Sequence, residues 1–158
     1  AKYKAELLIK DKLKNYTIYR IPLVLSNPLC EPFMYHVKKD MIIDCITKED
    51  AAYAFVKGIK YISDINRKTF NVTGEETVKV RDLYDKMLEI NGLTFKYVLS
   101  RIFLEKNYYS PVCADKDELN NIINYRNDSL AEYYNRLRSR AKKRKFARFL
   151  AKPFVKNK

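Results

Sequence analysis

The side chains with the most direct chemical potential in this 158-residue chain are Cys30, Cys45, Cys113, the single histidine His36, and Arg101. Paired thiols at C-x-x-C spacing would make a zinc or redox site. The three cysteines here are odd in number and widely spaced, so they are expected to be free thiols of a reducing compartment, with no metal site. His36 has no Ser, Cys or acidic residue at a motif spacing that would make it a base or a ligand, and it reads as a polar loop contact. Arg101 can clamp a diphosphate through its two-pronged guanidinium, or stand as an exposed helix arginine. Gly58, Gly74 and Gly92 are the only glycines and do not cluster, so the sequence holds no Gly-rich phosphate-cradling turn.

The net charge of +13 is unevenly placed. Residues 136–158 carry eleven Lys or Arg and no acidic residue. Residues 1–135 carry 21 basic against 19 acidic residues, a net of +2. The basicity therefore belongs to a tail, and no nucleic-acid partner is expected for the body. Within the tail, Phe146, Phe149 and Leu150 stand at i, i+3 and i+4 among basic residues, and Phe154 and Val155 follow Pro153. Two readings stand for it: a basic amphipathic helix on an anionic membrane surface, or a solvated basic helix whose aromatics dock on the body.

The elements that must position these residues follow from pattern. Residues 1–14 predict a helix, with Tyr3, Leu7, Leu8 and Ile9 facing a core. Tyr16–Tyr19 is a β-prone run reached after a single residue, as in a helix-to-strand step of a parallel sheet. Pro22, Pro28 and Pro32 mark a loop leaving that strand, where α/β folds place their ligands. A second strand is predicted over 41–46. Thr47 and Asp50 form a capping box there, opening a helix whose buried stripe is Ala51, Ala54, Phe55 and Ile59. A third strand is predicted over 69–72, closing in Thr73-Gly74. Thr77 is read as the cap of a helix through Val80, Leu83, Tyr84, Met87 and Leu88, stopped by Asn91-Gly92. Helices are expected over 97–106 and 116–123, and Ser129 and Glu132 cap a final long helix through Leu130, Tyr133, Tyr134 and Leu137.

Four segments taken together carry a resemblance. Lys2-Tyr3-Lys4-Ala5-Glu6-Leu7-Leu8, Tyr16 to Pro22, Ile46 to Ala52 and Thr69 to Gly74 resemble, in order and spacing, the second half of extended short-chain dehydrogenase/reductases, the nucleotide-sugar epimerase and dehydratase group. Residues 106–134 are further similar to a bacterial sugar-epimerase-like subgroup. The resemblance covers residues 1 to about 135, and departs from the family pattern at Leu25-Ser26-Asn27. It implies an α/β fold: the last strands of a Rossmann-like parallel sheet, a small mixed α/β substrate-binding lobe, and a helical C-terminus. It divides the chain into residues 1–135, the second half of the dehydrogenase/reductase-like domain, and the basic tail 136–158.

For function, the resemblance implies that Lys2 is the catalytic lysine and a cofactor contact, one helical turn after a tyrosine that lies outside this sequence. An ammonium so placed lowers a phenol's pKa toward working pH and hydrogen-bonds the cofactor ribose. It also implies that Pro22, Leu23 and Val24 approach the nicotinamide, and that Asn27 and Arg101 contact substrate. The whole protein is expected to use NAD or NADP on a nucleotide-linked sugar; the excerpt alone is expected to bind no cofactor. Expected partners are a nucleotide-sugar-like small molecule, the missing N-terminal half, a membrane surface reached through the tail, and other copies of itself through unburied apolar faces. A cytoplasmic protein, peripheral at the inner membrane face, is the matching location. The competing expectation is a non-catalytic interaction module that associates with membrane or RNA through its tail.

Overall fold

The computed structural model describes residues 1–25, 38–92 and 112–155, the side chains of 143–155 excepted. The described residues fall into two compact units. The first comprises residues 1–25, 42–78 and 112–128, and the second residues 38–41, 79–92 and 129–155.

In the first unit, α1 (Lys2–Lys12) leads through a short turn into β1 (Thr17–Arg20), which pairs in parallel with β4 (Lys68–Asn71), Tyr19 opposite Phe70. The ladder continues past both ends, with Arg67 N–H donating to Tyr16 O and Val72 N–H to Arg20 O. Arg67 adopts a left-handed conformation, φ 60°, to make the first of these. Successive side chains of β1 point to opposite faces. Arg20 reaches Glu6 of α1, whereas Tyr19 reaches the helix α2 (Lys48–Lys60), its ring 5.2 Å from that of Phe55. Thus α1 and α2 cover opposite faces of the β1–β4 pair.

A second sheet has the order β2 (Leu23–Leu25), β3 (Ile42–Thr47), β5 (Thr77–Lys79), and β2 and β3 run parallel. Leu23–Leu25 is thus a strand, although the prolines around it predicted a loop. A single proline at 22 ends β1, and the following apolar triplet can still pair. Every residue of β3 after Ile42 is buried, the continuous burial expected of a parallel strand covered on both faces.

Two buried stripes differ from expectation. On α2 the inward residues are Ala51, Ala54 and Gly58, while Phe55 and Ile59 are exposed. The Tyr19 side chain fills the space beside this face: a Cβ on Gly58 would lie 2.3 Å from its hydroxyl oxygen. On α1 no residue is buried, and Tyr3, Leu7 and Leu8 stand exposed rather than facing a core. The core of this unit is Ile46, Ala51, Ala54, Ile65, Phe70, Val72, Leu119, Ile123 and Tyr125, brought together by β3, α2, α3 (Ile62–Ile65), β4 and α5 (Glu118–Ile123).

In the second unit, α4 (Val80–Ile90) buries Val80, Leu83, Tyr84, Met87 and Leu88 as its periodicity predicts. Thr77 lies in β5 and is not its cap; Lys79 holds that place without a side-chain hydrogen bond. The first α4 amides are taken instead by backbone, Val80 N–H on Met41 O and Arg81 N–H on Lys39 O. The long helix α6 (Leu130–Val155) begins with the expected capping box, Ser129 N–H donating to Glu132 and Glu132 N–H to the Ser129 hydroxyl. Tyr133 is buried where α6 packs on α4. The helix crosses residues 135–136 without a break.

Candidate functional site

A cleft of about 450 Å³ opens between α1, β1 and the turn before α5. Lys2, Glu6 and Ile9 line it from α1, spaced as one helix face; Ile18, Arg20 and Pro22 line it from β1 and its end, and Asn71 and Cys113 close it. Its dominant electrostatic feature is a two-pronged ion pair. Arg20 Nε donates to Glu6 Oε1 at 2.9 Å and Arg20 Nη2 to Oε2 at 2.6 Å. The Arg20 hydrogen bond holds the Glu6 carboxyl below the usual glutamate range, and Glu6 raises Arg20 in return. The pair joins α1 to β1, and Lys2 lines the cleft one turn before Glu6 on the same helix face.

The cleft wall at Asn71 and Cys113 is held from behind by a polar network. Asn71 donates to Asp115 at 2.7 Å, and Cys113 N–H donates to Asp44 Oδ2 at 2.7 Å. Asp44 is fully buried on β3; its Oδ1 lies 3.9 Å from Lys116 Nζ and accepts no hydrogen bond among the described residues. Arg126 is the anchor of the 112–117 turn. It donates from Nε to Thr73 O at 3.0 Å, from Nη2 to Lys116 O at 2.6 Å, and from Nη1 to Asp117. Tyr125 adds its hydroxyl, which donates to Thr73 O and accepts from Thr73 N–H. Asp50 is both the partner of the Thr47 cap and a buried acceptor for Asn127 and Asp128 N–H. Burial raises its carboxyl pKa despite those donors.

Neither described cysteine has the setting of an activated thiol. Burial pushes Cys45 up to about 12, with Asp44 adding to the effect. Cys113, half-buried at the cleft, is raised by burial and then by Asp44 and Asp115. Among the described residues no cluster of His, Cys, Asp and Glu could hold a metal ion, and no helix is long and apolar enough to cross a membrane.

Of the residues singled out in the sequence, Lys2 and Pro22 meet at the cleft. Leu23 is buried in β2, and Val24 packs against the core rather than lining the cleft. Asn27, Arg101, His36 and Cys30 lie outside the described residues. Glu6, Arg20, Asn71 and Arg126 receive no role from the sequence, and Cys113 is expected there only as a free thiol. Glu6 and Arg20 lie inside two of the quoted segments, but their pairing spans a helix, a turn and a strand. No local spacing signals such a contact.

No family model matches the chain, and no curated protein matches it by sequence. Solved structures do match by shape. A nucleoside-diphosphate-sugar epimerase from Staphylococcus aureus is 15% identical with a TM-score of 0.56, over 84% of this chain and 56% of that one. UDP-glucuronic acid 4-epimerase from Bacillus cereus, solved with NAD and a fluorinated UDP-sugar, is 13% identical with a TM-score of 0.61, over 90% of this chain and 50% of that one. UDP-glucose 4-epimerase from Thermotoga maritima, solved with UDP-glucose, is 14% identical with a TM-score of 0.53, over 92% of this chain and 51% of that one. The chain spans about half the length of the structures it matches. At these identities the likeness is one of fold: a mixed α/β, Rossmann-like part of the nucleotide-sugar epimerase architecture.

Proposed function

We propose that this chain is the substrate-side half of an NAD(P)-dependent epimerase- or dehydratase-like protein acting on a nucleotide-linked sugar, and that it works only when joined to a dinucleotide-binding half. The observation that carries this reading is the unfinished β1–β4 sheet. Parallel strands are stable when buried in a larger sheet covered on both faces. Here, among the described residues, β1 pairs on one edge only, with β4. Around it Leu7 and Leu8 of α1 and Phe55, Val56 and Ile59 of α2 stand exposed. Structures of the same fold are about twice as long, which supports a further parallel strand, with its own helices, on the open β1 edge.

In this reading Lys2 keeps its ammonium at the cleft, where it lowers the pKa of a phenol one turn earlier on the same helix face. The Glu6–Arg20 pair is the positioning element for Lys2. Pro22, Leu23 and Val24 carry the chain past the nicotinamide, and Asn27 and Arg101 meet the sugar nucleotide. The residues of this chain fit the cofactor only in part. They offer Lys2, and with glycines only at 58, 74 and 92 they offer no turn to cradle a pyrophosphate. That contact falls to the complementing half, and NAD or NADP would supply hydride transfer there.

The test is made on a polypeptide extended to include the residues encoded before Ala1. NAD(P)H binding is followed by fluorescence and sugar-nucleotide turnover by product analysis. The 158-residue chain alone should bind no cofactor, and Lys2→Met in the extended protein should cut turnover at least a hundredfold and weaken cofactor binding. Full activity in that variant, or a residue other than tyrosine four positions before Lys2, would overturn the assignment of Lys2.

A further inference from the structure

Asn71 lines the cleft, and the proposed reaction gives it no role. It ends β4 directly opposite Arg20, which ends β1, so the two side chains leave the same face at the carboxyl ends of adjacent parallel strands. The residues one position earlier point the other way: Phe70 is buried in the core, and Tyr19 reaches α2. Carboxyl ends of parallel strands are where α/β folds hold their ligands.

The Asn71 amide has a fixed orientation. Its Nδ2 donates to Asp115 Oδ1 at 2.7 Å, and a carboxylate only accepts, so the nitrogen must face Asp115. The amide oxygen lies on the other branch, with no partner among the described residues. Arg20 gives Nε and Nη2 to Glu6 and keeps Nη1 without a partner among the described residues; the Lys2 ammonium has none there either. Two cationic donors and one amide acceptor thus line a single cleft, beside the apolar Ile9, Ile18 and Pro22. A phosphate or carboxylate would satisfy the donors but set an oxygen against Asn71 Oδ1, with the Asp115 carboxylate close by. A hydroxyl satisfies both kinds of group, because its oxygen accepts while its hydrogen donates. A sugar ring carries such hydroxyls on its edge and C–H groups on its faces for the apolar wall.

We infer that Asn71 is a specificity-determining residue whose Oδ1 accepts a hydrogen bond from a carbohydrate hydroxyl, while Arg20 or Lys2 donates to that hydroxyl's oxygen. Asp115 is the positioning residue that keeps Oδ1 turned to the cleft. The inference rests on the proposed function, which brings carbohydrate rings from two sources, the nucleotide-linked sugar and the dinucleotide. A site that reads a hydroxyl rejects the analogue lacking it, because its own acceptor is left unpaired. Asn71 is half-buried, so water replaces a lost hydroxyl in part, and the expected effect is about tenfold, the scale of one hydrogen bond.

The experiment uses the extended protein and reads affinities by titration calorimetry, with UDP-glucose, its monodeoxy analogues and NADH as probes. Asn71→Leu keeps the size and removes the acceptor; it should weaken either UDP-glucose or NADH about tenfold and leave the other nearly unchanged. If the sugar is read, one deoxy analogue should bind the unmodified protein about tenfold more weakly than UDP-glucose, and Asn71→Leu should weaken that analogue no further. If the dinucleotide is read, NADH alone should lose affinity, and the deoxy series should be indifferent to the substitution. Asn71→Asp sets two carboxylates together and should bind as weakly as Asn71→Leu. Adding Asp115→Asn to Asn71→Asp restores both the hydrogen bond and an oxygen facing the cleft, and should recover most of the affinity. Circular dichroism checks that each variant is folded. Unchanged affinities in Asn71→Leu, with Lys2→Met still losing cofactor binding, would overturn the inference and leave the proposed function standing. An equal loss for NADH, UDP-glucose and every deoxy analogue would mark a general loosening of the cleft and would overturn it too. An extended protein that binds neither UDP-glucose nor NADH would overturn the proposed function, and the inference with it.

Discussion

Removing the Arg126 guanidinium should loosen the whole back wall of the cleft. Arg126 contributes one hydrogen bond each to Thr73 O and Lys116 O, at 3.0 and 2.6 Å, from a side chain only 10% exposed. In Arg126→Ala, Thr73 O keeps the Tyr125 hydroxyl, 2.6 Å away, so a single carbonyl, that of Lys116, loses its side-chain donor. Hydrogen bonds from a charged donor contribute about 1.5–3 kcal/mol each, and the cost of desolvating the guanidinium offsets part of the two. The expected loss is about 2–3 kcal/mol. With a urea m-value of about 2 kcal/mol/M for a chain of this size, the midpoint should fall by about 1–1.5 M at unchanged m. Arg126→Lys keeps the charge but not the fork, and should recover less than half of the loss. Because the same turn carries Cys113 and Lys116, labelling of Cys113 by a thiol reagent should become faster in Arg126→Ala. The control is Asp117→Asn, which removes an exposed partner and should cost far less. If Asp117→Asn costs as much as Arg126→Ala, the ion pair and not the carbonyl fork holds the turn, and the reasoning fails.

Four further outcomes are expected. Gly74→Ala should lose about 2–4 kcal/mol by urea unfolding. Its Cβ would meet Cys45 O at 2.7 Å, the acceptor of the Gly74 N–H bond, so both overpacking and a lost hydrogen bond count. Gly58→Ala meets the end of the Tyr19 side chain, which can swing, and gains helix propensity; its loss should be nearer about 1 kcal/mol. The Glu6 carboxyl is lowered from 4.5, so its contribution is present above that pH and fades as the pH falls through the lowered value. Glu6→Gln should therefore cost about 1 kcal/mol or less at pH 7, and progressively less below pH 4.5. A cost that grows on acidification would contradict the pairing. Peptide mapping after labelling at pH 8 should find Cys45 unmodified in the folded chain, because its thiol sits near 12 and is buried.

Where the sequence succeeded, the signal was local. The capping box at Ser129 and Glu132, the i, i+3, i+4 stripe of α4, and the β-prone run Tyr16–Tyr19, one residue ahead of the strand Thr17–Arg20, each depend on neighbours within a turn or a strand. Periodicity failed on α2, although the stripe is cleanly amphipathic by composition. A helix rule assigns the largest apolar residues to the core, so Phe55 and Ile59 were placed inward. What decides the matter is contact with another element: Ala51, Ala54 and Gly58 are the buried apolar positions, and the Tyr19 side chain occupies the space beside Gly58.

The candidate site was legible to a different degree, for a related physical reason. Lys2 and Pro22 each sit inside a short ordered motif, and both line the cleft. Glu6 and Arg20 lie fourteen residues apart and Asp44 and Cys113 sixty-nine, and these pairs fix the cleft's floor and wall. A contact at such separation leaves no trace in spacing, because any intervening turn length is compatible with it. The misplaced α2 stripe and the unburied α1 share one explanation. Leu7 and Leu8 on one layer, and Phe55 and Ile59 on the other, are core positions by pattern, and all four are exposed. They flank the same strand, whose second edge is open among the described residues. In the proposed reading, these exposed residues are the ones a further strand and its helices would cover. If so, Phe55→Ser with Ile59→Ser should leave the urea midpoint of this chain nearly unchanged and destabilise an extended protein by several kcal/mol, since burial of each side chain contributes about 1.5–3 kcal/mol. An equal effect in both proteins would mean that the α2 face is not an interior surface of the larger fold.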